Sequence, residues 1–267
     1  MAGFLTPEGF APPRGVRALS GELTSVPEVG RHLADLAAAR ARLMMTPYAR
    51  RTPARAVHPV VLIPGFLAGD STLAAMAAAL RREGFRTYRS QIMANVGCTQ
   101  DALTQLEVRV EAIADKRGIP VRLVGHSLGG LLARGLAARR PDLVAGLVTL
   151  GSPLLAPGAH HAVLSMTLSA IVSLSRTGWP GLMTEDCVGG HCAELSFAEC
   201  RGPLADGLPF TSFYSRRDGI VDWRSCLDPA AETVEVNCSH AGMAVDPRVR
   251  RQVVGLLAQR AVLEVDR

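Results

Sequence analysis

Residues 125–130 read Gly125-His126-Ser127-Leu128-Gly129-Gly130 and follow directly on the apolar run Val121-Arg122-Leu123-Val124. A serine hydroxyl at its free pKa is a poor nucleophile. Chemistry at Ser127 therefore needs a base to take its proton and N–H groups to hold an oxyanion. A serine between glycines, set where a short strand turns sharply into a helix, projects its Oγ and leaves backbone N–H groups open; it is a nucleophile elbow. A Cβ at Gly125 or Gly129 would crowd such a crossing, and Gly130 lets the helix pack close to its neighbours. The same spacing arises by chance in glycine-rich loops. What argues for an elbow is its place, with a strand before it and a helical stretch, Leu128 to Arg139, after it.

An elbow is useless without an acid and a histidine at the same edge of the sheet, because ligands of open α/β sheets lie at the carboxyl ends of strands. Two segments qualify. After the apolar run Phe210 to Ser215 comes Arg216-Arg217-Asp218-Gly219-Ile220-Val221-Asp222-Trp223, and after a run near Thr233 to Asn237 comes Cys238-Ser239-His240-Ala241-Gly242-Met243. Asp218 is preferred to Asp222 as the acid, since it comes sooner after the strand and Gly219 supplies a tight turn. His240 stands one loop beyond the last strand, where a base belongs. Of the other histidines, His58 precedes a strand and belongs to the opposite end of the sheet, and His126 points its ring away from Oγ to pack or bond to backbone. His160 and His161 read as solvated positions.

The elements that must position these groups follow from hydrophobic patterning. Residues 1–56 form an N-terminal extension rich in proline and arginine, with an amphipathic helix over about Pro27 to Met45 whose Val29, Leu33 and Leu36 share a face that packs on the outside of the body. Residues 57–267 form the main domain, in which short apolar runs alternate with helical stretches. Strands are expected over 59–63, 85–92, 121–124, 144–150, 210–215 and 233–237. Helices are expected from a cap at Asp70 or Ser71 to Arg82, over 101–116 and 128–139, and over 247–263 with Val249, Val253, Leu256 and Leu257 buried. This alternation predicts an α/β protein with a mostly parallel sheet covered by helices on both faces. Between about 154 and 209 no strand is evident, and the stretch reads as a helical cap or lid insertion. Its run Ala162 to Leu174 is apolar on nearly every side, which suits either a core helix in a bulky cap or a lid whose second face greets an acyl chain.

The chain resembles the α/β-hydrolase superfamily, and within it the lipases and esterases. The resemblance rests on Pro64-Gly65-Phe66, the elbow around Ser127, Leu150-Gly151-Ser152-Pro153, the segment Ser215 to Val221, and Ser239-His240-Ala241-Gly242-Met243, which come in the order Ser, Asp, His. It departs from many lipases in ending its first strand with Ile63-Pro64-Gly65 rather than His-Gly. The resemblance implies an α/β-hydrolase fold with Ser127 as nucleophile, His240 as general base and Asp218 as the group that orients it, while the backbone N–H groups of Phe66 and Leu128 form the oxyanion hole. It implies no metal and no organic cofactor. The expected function is a serine hydrolase of carboxylic esters with apolar acyl groups, working through an acyl-enzyme. Two alternatives stand beside it: an acyltransferase using the same triad, and a non-catalytic binding protein of the same fold.

Composition narrows the partners. The chain has 267 residues, a net charge of +5, and Lys116 as its only lysine, with arginines scattered among acids, so no nucleic-acid partner is expected. The partner is a small-molecule ester or lipid, and the oligomeric state is left open. The N-terminus lacks the basic start and apolar core of an export signal, and 162–174 is too short to span a bilayer, so a cytoplasmic protein in at most transient contact with a lipid surface is expected. Reduced thiols are the default for its six cysteines. Pairing of Cys187 with Cys192, or of Cys226 with Cys238, is sterically allowed. A zinc site from Cys187, Cys192, Cys200 and His191 is disfavoured because adjacent His191 and Cys192 cannot readily reach one tetrahedral ion.

Overall fold

The computed structural model describes residues 3–22, 27, 28, 30, 31, 33, 34 and 59–265. Among these, six strands form one sheet: β1 (Val60–Ile63), β2 (Thr87–Arg89), β3 (Val121–His126), β4 (Val144–Leu150), β5 (Phe210–Tyr214) and β6 (Glu232–Glu235). Their spatial order is β2-β1-β3-β4-β5-β6, and every adjacent pair is parallel. Parallel neighbours cannot be joined by hairpins, so the connections cross over the sheet faces. The helices are α1 (Gly15–Glu22), α2 (Ala74–Arg82), α3 (Thr99–Arg117), α4 (Leu128–Arg139), α5 (Ala162–Ser175), α6 (Glu185–Gly189), α7 (His191–Cys200), α8 (Gly242–Val245) and α9 (Pro247–Val265).

Side chains alternate along a strand, and the apolar runs therefore feed two cores. Val60 and Leu62 of β1 join Val124, Val148 and Phe213 beneath α2 and α9, where Met76, Leu80, Val249, Val253 and Leu257 are buried. Val61 and Ile63 point the other way, into a core with Leu123 and Leu147 that is closed by Leu103, Leu106, Leu132 and Leu136 of α3 and α4. From β1 the chain steps outward to β2, then returns to β3 on the other side and continues through β6. The reversal lies between β1 and β3, so a crevice opens where Pro64-Gly65-Phe66 and the elbow both leave the sheet.

Two expectations are corrected. The second strand covers three residues rather than eight, because beyond Arg89 the N–H groups of Ser90 and Gln91 donate to the Asp70 carboxylate (3.1 and 3.0 Å) instead of extending the ladder. For the same reason Asp70 does not cap α2; it opens a 3-10 turn, Asp70–Leu73, while its side chain holds the end of β2. Of the helix expected over 27–45, Pro27, Glu28, Gly30, Arg31, Leu33 and Ala34 are described and helical, with Leu33 59% exposed. Val29, Leu36 and residues 35–45 lie outside the described residues, as does His58.

Candidate active site

Ser127 sits between β3 and α4 with φ 51° and ψ −121°, a left-handed conformation that strains a residue with a side chain. Glycines make the turn fit. A Cβ on Gly125 would stand 2.4 Å from the carbonyl oxygen of Gly129, and one on Gly129 would stand 2.3 Å from that of Ile63, so neither position admits a larger residue without moving backbone. The Ser127 N–H donates to the carbonyl of Leu150 (2.9 Å), which ties the elbow to the end of β4.

On the other side of that strand end, His240 Nδ1–H donates to Asp218 Oδ2 at 2.7 Å. Asp218 Oδ1 accepts the N–H groups of Ile220 and Val221, each at 2.9 Å, which fixes the carboxylate within its own turn. Asp222, the competing acid, faces elsewhere: it accepts from Ala11 N–H (3.0 Å) and pairs with Arg224 (2.8 Å). The His240 ring is buried, which disfavours its protonated form. The charge and hydrogen bond of Asp218, with the carboxylate of Glu22, outweigh that burial and raise its pKa above the ordinary histidine value.

His126 lies against this base, with ring centroids 5.0 Å apart, and its Nε2 is 3.0 Å from the His240 carbonyl, so Nε2–H is the donor. Burial and the neighbouring imidazole push its pKa down to about 3, which keeps it neutral. His126 is thus a backbone clamp, as its turned-away ring suggested. Among the described residues, no hydrogen bond joins the Ser127 hydroxyl to His240. Both residues lie at the end of β4: the Ser127 N–H bonds the Leu150 carbonyl, and a Cβ on Gly151 would stand 3.3 Å from His240 Nδ1.

Ser127, Phe66 and Leu128 line one cavity of about 140 Å³, together with Leu103, Leu131, Leu132, Pro153, Leu164, Leu168, Met183, Val188 and Phe197. Neither Phe66 N–H nor Leu128 N–H donates to a backbone carbonyl among the described residues. No carboxylate, lysine or arginine lines the cavity. His160 does line it, and both His160 and His161 are only 5% exposed, contrary to the solvated positions expected of them. Residues some sixty positions on draw them in, His160 bridging to Val221 and His161 N–H donating to the Ile220 carbonyl (2.7 Å), while His160 Nδ1 bonds the Pro157 carbonyl (2.8 Å) and His161 Nδ1 caps α5 by accepting from Val163 N–H (3.2 Å).

Helix α5 shows why its sequence looked apolar all round. Leu164 and Leu168 face the cavity and Val172 is buried, whereas Val163, Met166, Ala170 and Leu174 recur at helical spacing on the exposed side, Met166 at 71%. It is not a core helix. No described helix is long and apolar enough to cross a membrane.

Sequence reasoning missed four contributors, all from the N-terminal segment. Glu22, the last residue of α1, accepts the N–H groups of Gly219 (3.0 Å) and His240 (2.9 Å) on a single oxygen, joining the acid turn to the base turn. Glu28 accepts Ser239 N–H (2.9 Å) and the Ser239 hydroxyl, and Arg31 pairs with Asp246 at 2.8 Å. Leu5 packs on Ala193 and Phe197 of α7 and lines the cavity itself. No local motif marks these residues, since their partners lie some two hundred positions away.

Comparisons with known proteins bear on this architecture. A family model described as the alpha/beta hydrolase fold matches residues 58–182. A triacylglycerol lipase of Vibrio cholerae is 37% identical over 101 residues, a stretch that covers 35% of this chain and 32% of that protein, so the match spans about a third of the relative's length. Among solved structures, a Bacillus licheniformis lipase in mature form superposes with TM-score 0.59 at 16% identity, covering 79% of this chain and 94% of that one. A soluble variant of monoglyceride lipase from Saccharomyces cerevisiae gives TM-score 0.56 at 15% identity, covering 79% and 87%. Sheet order, helix placement and these likenesses agree: this chain has the α/β-hydrolase fold.

Proposed function

We propose that the protein is a serine hydrolase of carboxylic esters with apolar acyl groups. The observation that carries this reading is the strained Ser127 on the wall of an uncharged cavity, beside a buried Asp218–His240 hydrogen bond. In the proposed reaction, neutral His240 takes the Ser127 proton through Nε2 as Oγ attacks the ester carbonyl. The oxyanion is met by the N–H groups of Phe66 and Leu128. Asp218 holds the imidazole by Nδ1 and stabilises the imidazolium, which returns the proton to the leaving alkoxide. Water then repeats the sequence on the acyl-enzyme.

The acyl group would lie among Leu5, Leu164, Leu168 and Phe197. An aliphatic side chain taken from water into such surroundings gains about 1.5–3 kcal/mol, so each stretch of acyl chain that fits should tighten binding appreciably. We assign residues 154–209 as the insertion that roofs this cavity, with the exposed stripe of α5 as its contact with lipid. The named lipases to which the chain is similar support a lipid ester as substrate.

A fluorophosphonate probe tests the chemistry. It should label folded protein at Ser127 and fail to label Ser127→Ala. Unlabelled wild type would refute the mechanism. A series of p-nitrophenyl esters of increasing chain length then reads the cavity, with kcat/KM expected to rise with acyl length until the cavity is full.

A further inference from the structure

Three cysteines that the sequence scatters meet at one seam. The Sγ atoms of Cys98, Cys187 and Cys192 all lie within 4.8 Å of one another, and those of Cys98 and Cys192 are 3.3 Å apart. Cys200, expected in the same cluster, is instead buried in the core beneath α4, and His191 is exposed. The trio therefore differs from the grouping the spacing suggested, because Cys98, ninety-four positions from Cys192, takes the third place.

We infer that Cys98, Cys187 and Cys192 form a binding site for one thiophilic metal ion, of the class of Cu+, Zn2+ or Cd2+. Three thiolates each about 2.3 Å from a common ion stand roughly 3.8–4.0 Å apart, so the observed spacing needs shifts of no more than about an ångström. Sulfur-only donor sets select soft ions of this class over Mg2+ or Ca2+. Each ligand is partly buried and comes from a different helix or its cap: Cys98 caps α3, Cys187 lies in α6 and Cys192 in the first turn of α7. The seam is already built to hold them, since Met183 N–H donates to the Val96 carbonyl (2.8 Å) and Gln100 bonds Ser196 (3.1 Å). A Cβ on Gly97 would stand 2.9 Å from the Gly181 carbonyl, so the two backbones touch beside the cluster.

Binding releases the thiol protons that remain at the working pH, and affinity must therefore rise with pH. Because Cys187 also lines the cavity that holds Ser127, an ion here would pin α6 and α7, one wall of that cavity, to the start of α3.

The test is a titration of the full-length, reduced protein with Cd2+ under anaerobic conditions, followed by sulfur-to-metal charge-transfer absorption and by thiol counting with Ellman's reagent. The site predicts saturation at one ion per chain and protection of three thiols in the wild type. Cys98→Ser, Cys187→Ser and Cys192→Ser should each weaken binding at least tenfold, and Cys200→Ala should not. Non-saturating uptake, no protected thiols, or equal binding by the triple serine variant would overturn the site. So would a Cys98–Cys192 disulfide whose reduction brings no gain in Cd2+ uptake. Thiol protection is read on the wild type and stands even where a variant fails to fold.

Discussion

In the turns that carry Asp218 and His240, the N–H groups of Gly219, Ile220, Val221, Ser239 and His240 all end on carboxylates, from Asp218 itself or from Glu22 and Glu28. Helix α5, by contrast, buries only Val172, presents Met166 and Val163 to solvent, and lines the cavity through Leu164 and Leu168. Charge-assisted hydrogen bonds are directional and fix atoms, whereas apolar contact fixes only area. In the proposed reaction, the half that would hold the proton acceptor is built from the first kind of interaction, and the half that would take the acyl chain from the second.

The largest effect should come from disturbing the fixed half. Asp218→Asn leaves the hydrogen-bond geometry nearly intact but favours the wrong imidazole tautomer, and should lower kcat by about 10⁴-fold with little change in KM. Asp222→Asn, four residues on, should leave kcat within a few-fold and act on thermal stability instead, by loosening Ala11 and Arg224. Equal losses of kcat in the two variants, measured side by side, would erase the distinction drawn between them.

The adaptable half should respond in binding. Leu168→Glu places a charge against the acyl chain and should raise KM for long-chain esters by about 10- to 100-fold, the loss of one buried leucine-sized contact, with short-chain esters far less affected. Because α5 is largely exposed, circular dichroism and the melting temperature should change little.

Glu22 lets geometry and charge be read separately. Glu22→Ala removes the acceptor shared by Gly219 and His240 and should lower kcat by about tenfold. Glu22→Gln keeps an acceptor oxygen but loses the charge that helps raise the His240 pKa, so kcat should fall less while the acid limb of the rate profile moves to lower pH. In the wild type that limb should lie above pH 6.5. In the proposed mechanism the neutral imidazole is the base, and its pKa is raised, so kcat/KM should climb as pH rises through that value. A limb below 6.5 would contradict the burial and charge balance described for His240. The smallest effect is expected from Met166→Ser, which should leave hydrolysis of dissolved esters unchanged and slow that of emulsified esters a few-fold.

What the sequence made legible was local. The elbow showed itself through glycine spacing between a strand and a helix, and the ends of β4 and β5 were marked by apolar runs that stop at turn residues. The preference for Asp218 over Asp222 came from the turn at Gly219, and the geometry separates the two side chains as described. The failures came where a distant partner overruled a local signal. Asp70 looked like a helix cap, but Ser90 and Gln91, some twenty residues on, offered it three donors. His160 and His161 looked solvated because nothing nearby in the chain covers them. Glu22, Glu28, Leu5 and Cys98 carried no pattern at all, since each acquires its meaning from residues about a hundred to two hundred positions away.

The clasp of Glu22 and Glu28 on the turns at 219, 239 and 240 also sets an order of events. Residues 22 and 28 leave the ribosome long before the segments they grip, and synthesis places N-terminal residues first. Until residue 240 emerges, the turns that these carboxylates grip are incomplete, and the sheet must grow out to β6 before α1 can dock on them. In the proposed mechanism, catalytic competence would therefore arrive late and abruptly, when residues 22 and 28 close on the turns at 219, 239 and 240.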